Sequence, residues 1–184
     1  WADTGKSTLA AQLRAALTAG GVESESISTD DFLRDRVERN ALGISGYDVR
    51  SLDASDLHEA IARFQRRQSF TVQPYDNRTG TRSRQPRTVF PAKVLVVEGI
   101  HSLHASVADQ MGLKVFIDSD EATLRQMRYR ANMLKRGMTA EDAAARISSE
   151  WEDYNIFVRP RIAVSDLVVR VDEHFVYRSR EGGA

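Results

Sequence analysis

The chain has 184 residues, of which 41% are hydrophobic and 28% are charged, and its 26 basic residues balance 26 acidic ones. These values fit one globular domain, and the lack of a basic excess argues against a protein that binds nucleic acid. The chain has no cysteine and no apolar run of about 18 residues. Disulfides, thiolate metal sites and a membrane span are therefore excluded, and a cytoplasmic protein without a nucleic-acid or membrane partner is expected.

Predicted helices alternate with short apolar strands along the whole chain. The predicted helices cover residues 6–19, 55–67, 120–136 and a segment that begins near residue 139. The predicted strands cover residues 25–28, 94–97, 115–117 and 167–171, and a hairpin is predicted to join residues 70–72 to 88–90. This alternation predicts an α/β fold with a mostly parallel sheet.

Two of these segments carry specific expectations about burial. The apolar run from Val94 to Val97 is typical of a strand that is buried on both faces. In the helix over residues 120–136, four apolar side chains are predicted to face inward: Leu124, Met127, Ala131 and Leu134. We also expect one domain over residues 1–178 and a loose, polar tail over residues 179–184.

The first predicted helix begins with a phosphate-binding motif. Gly5, Lys6 and Ser7 supply the second half of the pattern G-x-x-x-x-G-K-[ST]. Backbone N–H groups at such a helix start bind phosphates, the lysine reaches the β and γ phosphates, and the serine hydroxyl ligates Mg²⁺. The predicted ATP site comprises Asp3, Thr4, Gly5, Lys6, Ser7 and Thr8. The alternative is a surface helix that merely starts with Gly-Lys-Ser.

The motif is cut by the start of the chain. The first glycine of the pattern would lie one position before Trp1, and the strand that precedes a phosphate loop is not in the sequence. We therefore expect the native protein to carry about 6–15 further residues before Trp1, a β-branched run among them.

Three acids follow predicted strands, where ligands bind in open α/β sheets. Asp30 and Asp31 follow the second predicted strand, and an acid there can accept the proton of a substrate hydroxyl. The alternative for both is a cap or a solvated turn. Glu98 ends the buried apolar run, where a carboxylate can hold Mg²⁺. His101 and His104 lie three residues apart, but structural or substrate-edge roles suit them better than metal ligation.

The order of these motifs resembles the uridine kinase and phosphoribulokinase family over nearly the whole chain. The matching segments are Gly-Lys-Ser-Thr at 5–8, Ser-Thr-Asp-Asp-Phe at 28–32, Tyr-Asp at 47–48, Pro-Tyr-Asp at 74–76 with Arg82, Val-Glu-Gly-Ile at 97–100, Arg-Gly at 136–137, and Pro160 with Asp166. The resemblance implies a P-loop NTPase fold: a doubly wound, mostly parallel sheet with helices on both faces. It also implies a small β-hairpin over the acceptor site and a helical lid that carries arginines.

The resemblance further implies an ATP- and Mg²⁺-dependent kinase that phosphorylates a hydroxyl of a small molecule, uridine kinase-like in acting on a nucleoside 5′-hydroxyl. The implied catalytic residues are Asp30 as the base, Lys6, and the lid arginines Arg128 and Arg136. The implied substrate-binding residues are Asp30, Asp48 at the ribose hydroxyls, Tyr75 at the base, and Arg82. The implied magnesium-binding residues are Ser7 and Glu98.

Two positions depart from uridine kinases, which commonly have tyrosine where this chain has Leu33 and histidine where it has Gly80. Four arginines also cluster in the predicted hairpin: Arg78, Arg82, Arg84 and Arg87. They are either solvated charges at a sheet edge or ligands of an anionic acceptor. A kinase of a sugar phosphate or specialised metabolite therefore stays open, as do an ATP-binding regulatory module without catalysis and a homo-oligomer.

Overall fold

The computed structural model describes residues 1–179, which group into two units. The first unit is Lys6–Gln110, and the second unit comprises Trp1–Gly5 and the chain from Met111 onward. The predicted loose tail lies outside the described residues except for Ser179, which ends the last strand.

The first unit begins with helix α1 and contains two β ladders and a parallel strand pair. Its elements are α1 (Lys6–Ala19), β1 (Ser24–Ser28), α2 (Arg36–Ala41), α3 (Ala54–Gln65), β2 (Phe70–Val72), β3 (Tyr75–Asp76), β4 (Thr81–Arg82), β5 (Arg87–Val89), β6 (Val94–Glu98) and α4 (Ala105–Ala108). Strands β1 and β6 pair in parallel, with Ser28 opposite Glu98, and α1 packs against both. The ends of the two strands therefore lie side by side.

Strand β6 is less buried than its apolar sequence predicts. The prediction of burial on both faces is wrong, because every residue from Val94 to Glu98 is half-buried. Among the described residues, β6 pairs only with β1, so one of its edges carries no strand partner.

The predicted hairpin is confirmed and has two ladders. Strand β2 pairs with β5, and the short strands β3 and β4 pair beyond them, both antiparallel. Helix α3 supports this region because it buries Leu57, Ile61 and Phe64 on one face and contacts β2 and α4. The hairpin is thus anchored by the core of the first unit at its base.

The second unit combines a three-stranded sheet with two long helices. Its elements are β7 (Val115–Asp118), α5 (Glu121–Arg136), α6 (Ala140–Asp153), β8 (Leu167–Val171) and β9 (Tyr177–Ser179). Strands β7 and β8 are parallel, and β9 runs antiparallel to β8. Side chains of Asp120 and Thr139 cap the N-termini of the two helices, and Gly137 ends α5 in the left-handed conformation. Parallel strands separated by helices confirm the predicted α/β class.

The buried stripe of α5 differs from its prediction at the C-terminal end. Leu124, Met127 and Ala131 are buried, but Leu134 is 84% exposed. The buried face continues instead through Arg128 and Asn132, which are 3% and 0% exposed. The prediction that Leu134 faces inward is therefore wrong, because the polar side chains of Arg128 and Asn132 occupy the buried face. No helix within residues 1–179 combines the length and apolarity needed to cross a membrane.

Candidate active site

The first part of the phosphate loop, up to Gly5, belongs to the second unit and is fixed by contacts within that unit. The backbone of Gly5 is left-handed, and a β-carbon there would collide with the Tyr177 hydroxyl. That hydroxyl donates to the Gly5 carbonyl at 2.9 Å. Thr4 is fully buried and its hydroxyl donates to the Trp1 carbonyl at 3.0 Å, so only its backbone could face a phosphate. The motif therefore requires glycine at position 5 for conformation and for space.

Lys6, Ser7 and Glu98 lie together at the start of α1 and the end of β6. The Ser7 hydroxyl donates to Glu98 Oε1 at 3.1 Å. Burial raises the pKa of Glu98, and the positive charge of Lys6 opposes this shift. The pair offers one hydroxyl and one carboxylate oxygen. Mg²⁺ prefers oxygen ligands of this kind and keeps most of its other positions for water and phosphate, so these residues fit the ion.

The two adjacent acids after β1 have different environments. Both lie on a 3₁₀ turn, Thr29–Phe32. The Asp31 carboxylate accepts from the backbone N–H groups of Ser28 (3.4 Å) and Tyr75 (3.1 Å), and burial raises its pKa. Asp31 thus caps the turn and holds the hairpin.

Asp30 is the acid of this pair that is available for chemistry. Its carboxylate accepts only one side-chain hydrogen bond described here, from Asn77 Nδ2 at 3.3 Å. Asp30 lies two residues after Ser28, which is paired with Glu98 across the two strands, and its negative charge raises the pKa of Glu98. The turn therefore presents Asp30 beside the group formed by Lys6, Ser7 and Glu98.

Gly99 allows this close arrangement of the two strand ends. Its φ is +130°, and a β-carbon there would collide with the Thr29 hydroxyl. A side chain at position 99 would push the turn that carries Asp30 away from β6.

The predicted acceptor residues are all engaged with other protein groups. Asp48 is buried and accepts from the backbone and guanidinium of Arg50, whose hydrogen bonds lower the Asp48 pKa. The Tyr75 hydroxyl accepts from Arg39 at 2.6 Å. Arg82 donates to the Leu33 carbonyl at 2.9 Å. The roles of Asp48, Tyr75 and Arg82 at a substrate stay predictions.

His101 is a structural residue of the same region. It is 3% exposed, and its Nε2 lies 2.8 Å from the Gly46 carbonyl oxygen. Burial lowers its pKa, although the negative charges of Asp30 and Asp48 act in the opposite direction. His101 is therefore a buried side chain whose contact with the Gly46 carbonyl joins two loops of the first unit.

The departure at Gly80 has a structural explanation. Gly80 has φ +81°, and a β-carbon there would lie 2.7 Å from the Arg36 Cβ and Nε atoms. Arg36 donates to the carbonyls of Asn77 (2.5 Å) and Arg78 (3.3 Å), so it fastens the hairpin turn. The space for a side chain at position 80 is filled by Arg36. No spacing in the sequence indicates this contact, nor that of Asn77 with Asp30.

In the second unit, Asp3 and the predicted lid arginines form one charged network. The Asp3 carboxylate accepts from Arg128, from Lys135 at 3.1 Å and from Arg136 at 3.2 Å. Burial raises the pKa of Asp3, but these cations outweigh burial and lower it from 3.8 to about 2. The structure thus brings Asp3, Arg128 and Arg136 together, and adds Lys135, which the motifs did not indicate.

A second acid stabilises the same network. Glu150 is 6% exposed and accepts from Arg128 at 2.5 and 2.6 Å and from Arg146 at 2.8 Å. Burial raises the pKa of Glu150, and hydrogen bonds from Arg128 more than offset this effect, so that the pKa is lowered. Arg128 is therefore clamped between two carboxylates. Within residues 1–179, no three His, Cys, Asp or Glu side chains cluster closely enough to hold a metal ion.

Comparison with known proteins places this geometry in a family. The model of the phosphoribulokinase / uridine kinase family matches residues 2–175. The phosphoribulokinase of Synechocystis sp. is 31% identical over 147 residues, which are 79% of this chain and 44% of that protein. The uridine kinase of Leuconostoc citreum is 24% identical over 90% of this chain and 81% of that protein. The chain spans less than half the length of the phosphoribulokinases of Synechocystis sp. and Mesembryanthemum crystallinum.

Solved structures show the same fold. Phosphoribulokinase from Rhodobacter spheroides superposes with a TM-score of 0.70 at 19% identity, over 86% of this chain and 63% of that one. D-glycerate 3-kinase from Cryptococcus neoformans gives 0.68 at 16% identity, over 95% and 86%. The P-loop kinase fold expected from the motifs is confirmed by these superpositions. With its family model matched from residue 2 to residue 175, the chain belongs to the phosphoribulokinase / uridine kinase family.

Proposed function

We propose that the protein is a kinase that transfers the γ-phosphoryl of ATP to a hydroxyl of a small molecule. The observation that carries this proposal is the placement of Asp30. This acid has no capping role, unlike its neighbour Asp31, and it lies near Glu98, whose partners are Ser7 and Lys6. A general base near a phosphate-binding lysine is an arrangement that suits phosphoryl transfer to a hydroxyl.

Each proposed role follows from the charge of the residue. Asp30 accepts the proton of the acceptor hydroxyl while a bond forms between that oxygen and the γ-phosphorus. The bond from phosphorus to the β–γ bridging oxygen breaks, and ADP leaves with the electron pair. Lys6 supplies positive charge to the transferring phosphoryl group, usually the largest contribution to such catalysis. Mg²⁺, held by Ser7 and Glu98, would neutralise part of the phosphate charge.

In the second unit, Arg128 and Arg136 are the proposed cations of the lid. Both lie at Asp3, two residues before Gly5, and both belong to α5. Arginine is suited to phosphate because its planar guanidinium donates two parallel hydrogen bonds.

The family contains relatives that are named for two kinds of acceptor, a nucleoside and a sugar phosphate. A uridine kinase-like activity on a nucleoside 5′-hydroxyl is our first candidate, with Asp48 and Tyr75 as the proposed ligands. It has to operate without side-chain hydrogen bonds from Leu33, which is buried, or from Gly80, whose side-chain space Arg36 fills.

One observation favours an anionic acceptor as the second candidate. Arg39 is 9% exposed and contacts the hydroxyl and ring of Tyr75, yet within residues 1–179 it forms no ion pair with Asp or Glu. A buried guanidinium without an acid is costly. A sugar phosphate bound beside Tyr75 would supply the missing negative charge.

A substrate screen tests the proposal and separates its two forms. ADP release is measured with MgATP and, in turn, uridine, cytidine, other ribosides, pentose phosphates and small hydroxy acids. We expect one class to stimulate ADP release, and we expect Asp30→Asn to remove that stimulation. If ATP binds but no hydroxyl compound stimulates its consumption, the protein is an ATP-binding module without kinase activity.

A further inference from the structure

The charged network at Asp3 contains more positive than negative charge. Within residues 1–179, its ion pairs join two carboxylates and four cations: Asp3, Glu150, Arg128, Lys135, Arg136 and Arg146. The Asp3 side chain is 11% exposed and is the meeting point of three of the cations. This surplus is the electrostatic condition for binding a further anion.

The cations of Asp3 are held to different degrees. Arg128 has a side chain that is 4% exposed and is also gripped by both oxygens of Glu150. The Lys135 side chain is 66% exposed, and its ion pair is with Asp3. The Arg136 side chain is 24% exposed and also reaches Asn132. Arg128 is therefore fixed by the fold, whereas Lys135 and Arg136 can exchange one oxyanion for another.

We propose that Asp3 is an internal stand-in for a phosphate: its carboxylate holds Lys135 and Arg136 at the phosphate loop until phosphates of the donor replace it. Lys135 is then a further phosphate-binding residue, and Arg128 is a positioning residue that keeps Asp3 in place. A carboxylate suits this role because carboxylate and phosphate oxygens accept from the same guanidinium and ammonium donors. The inference rests on the proposed function, since it deepens the account of the donor site.

If Asp3 competes with phosphate, loss of the Asp3 charge should increase the affinity for phosphate, which is the opposite of what loss of a binding residue does. An incoming oxyanion has to displace the Asp3 carboxylate, so removal of that charge strengthens binding of the oxyanion. If Asp3 instead only held the loop in shape, its loss would weaken binding. The two accounts therefore predict opposite changes in the dissociation constant.

The test is calorimetric titration of the protein with inorganic tripolyphosphate, which needs no acceptor and no catalysis. We expect Asp3→Asn to bind it about 3–10-fold more tightly than the parent, and Lys135→Gln about 3–10-fold more weakly. The matched control is Arg125→Gln, which removes one charge from the same helix. Arg125 pairs with Glu121 and lies 4.8 Å from the Trp151 ring, so its loss should leave the affinity unchanged.

Equal or weaker binding by Asp3→Asn overturns the inference, and so does unchanged binding by Lys135→Gln. If Asp3→Asn does not fold, the test rests on Lys135→Gln, a substitution at an exposed position. A loss of tripolyphosphate affinity greater than that of Arg125→Gln supports the inference, and the absence of such a loss overturns it. Failure of the proposed function is recognised separately, as the absence of acceptor-dependent ADP release by the parent. That result would leave the tripolyphosphate comparison unaffected.

Discussion

The two units fix their functional side chains by different means. In the second unit, ion pairs position the side chains: Asp3 and Glu150 bind the arginines of α5 in a network that is largely buried. In the first unit, Asp31 is held by the backbone N–H groups of Ser28 and Tyr75, and the hairpin turn is fastened through its carbonyls by Arg36.

This difference has a consequence for each side of the proposed reaction. Ion pairs that exist before the donor binds preorganise the positive charges, so that less reorganisation free energy is needed during the reaction. The residues proposed to bind the acceptor depend instead on the backbone of the hairpin, which Asp31 and Arg36 hold. Substitution of Lys6 or Asp30 in the first unit should therefore alter turnover, and substitutions in the charged network of the second unit should alter stability and phosphate affinity.

The largest effect is expected from the phosphate-loop lysine. Lys6→Ala should lower kcat by about 10³–10⁵-fold, because it removes from the transferring phosphoryl the positive charge that also acts on Glu98. The measurement is ADP release with the acceptor found in the screen. Lys93→Ala, an exposed lysine of the same unit, is the control and should keep full activity. Near-normal kcat for Lys6→Ala would remove the phosphate loop from the mechanism.

The two adjacent acids provide the next comparison. Asp30→Asn should lower kcat by about 10²–10⁴-fold while it leaves ATP affinity nearly unchanged. Asp31→Ala should instead lower the free energy of unfolding by about 1–3 kcal/mol, because the N–H groups of Ser28 and Tyr75 lose their acceptor. Steady-state kinetics and urea unfolding on both variants check this division. A similar kcat for Asp30→Asn and the parent would show that the base is another residue.

Glu150 tests the network of the second unit. Glu150→Gln should lower the free energy of unfolding by about 3 kcal/mol, because it leaves buried Arg128 with a neutral partner on one side. Glu152→Gln, an exposed acid on the same helix, is the matched control and should change stability by less than about 0.5 kcal/mol. Equal thermal midpoints for the two variants would contradict a stabilising network.

The smallest effect is a dependence of stability on pH that comes from Asp3. Its folded pKa of about 2 lies below its ordinary value of 3.8, so ionised Asp3 stabilises the folded state above about pH 4. The contribution, about 2 kcal/mol, disappears as the pH falls from about 4 toward 2. The stability difference between the parent and Asp3→Asn should shrink over the same range. Unfolding free energies from pH 2 to pH 6 measure it, and a constant difference would exclude the ion pairs as its cause.

Much of the fold was predictable because its signals are local. Helix α1, strands β1 and β8 and the hairpin follow from apolar spacing and from glycine positions, and they lie within a residue or two of their predicted bounds. Half-burial of β6 was not predictable, because it depends on which strands pair with it. The exposure of Leu134 was missed for a related reason: the buried face of α5 carries Arg128, whose partner Glu150 lies 22 residues away in the chain.

The candidate site divides in the same way. The motifs indicate Lys6, Ser7 and Glu98, and the structure brings them together. Position after a strand does not separate Asp30 from Asp31, and the choice of Asp30 as the base comes from the family resemblance. The capping role of Asp31 is visible only in its hydrogen bonds from Ser28 and Tyr75. Lys135 belongs to no motif, and its place beside Asp3 is visible only in the structure, where its ammonium group reaches that carboxylate.

The most direct test of the central claim follows the phosphoryl group itself. The protein is incubated with Mg²⁺ and ATP that carries ¹⁸O on its γ-phosphoryl, together with the acceptors of the screen, and the products are analysed by mass spectrometry. We predict a phosphate ester of one acceptor that retains the label, formed in equal amount with ADP and lost in Asp30→Asn. Label found only in inorganic phosphate or unconverted ATP, with every acceptor unmodified, would contradict the account.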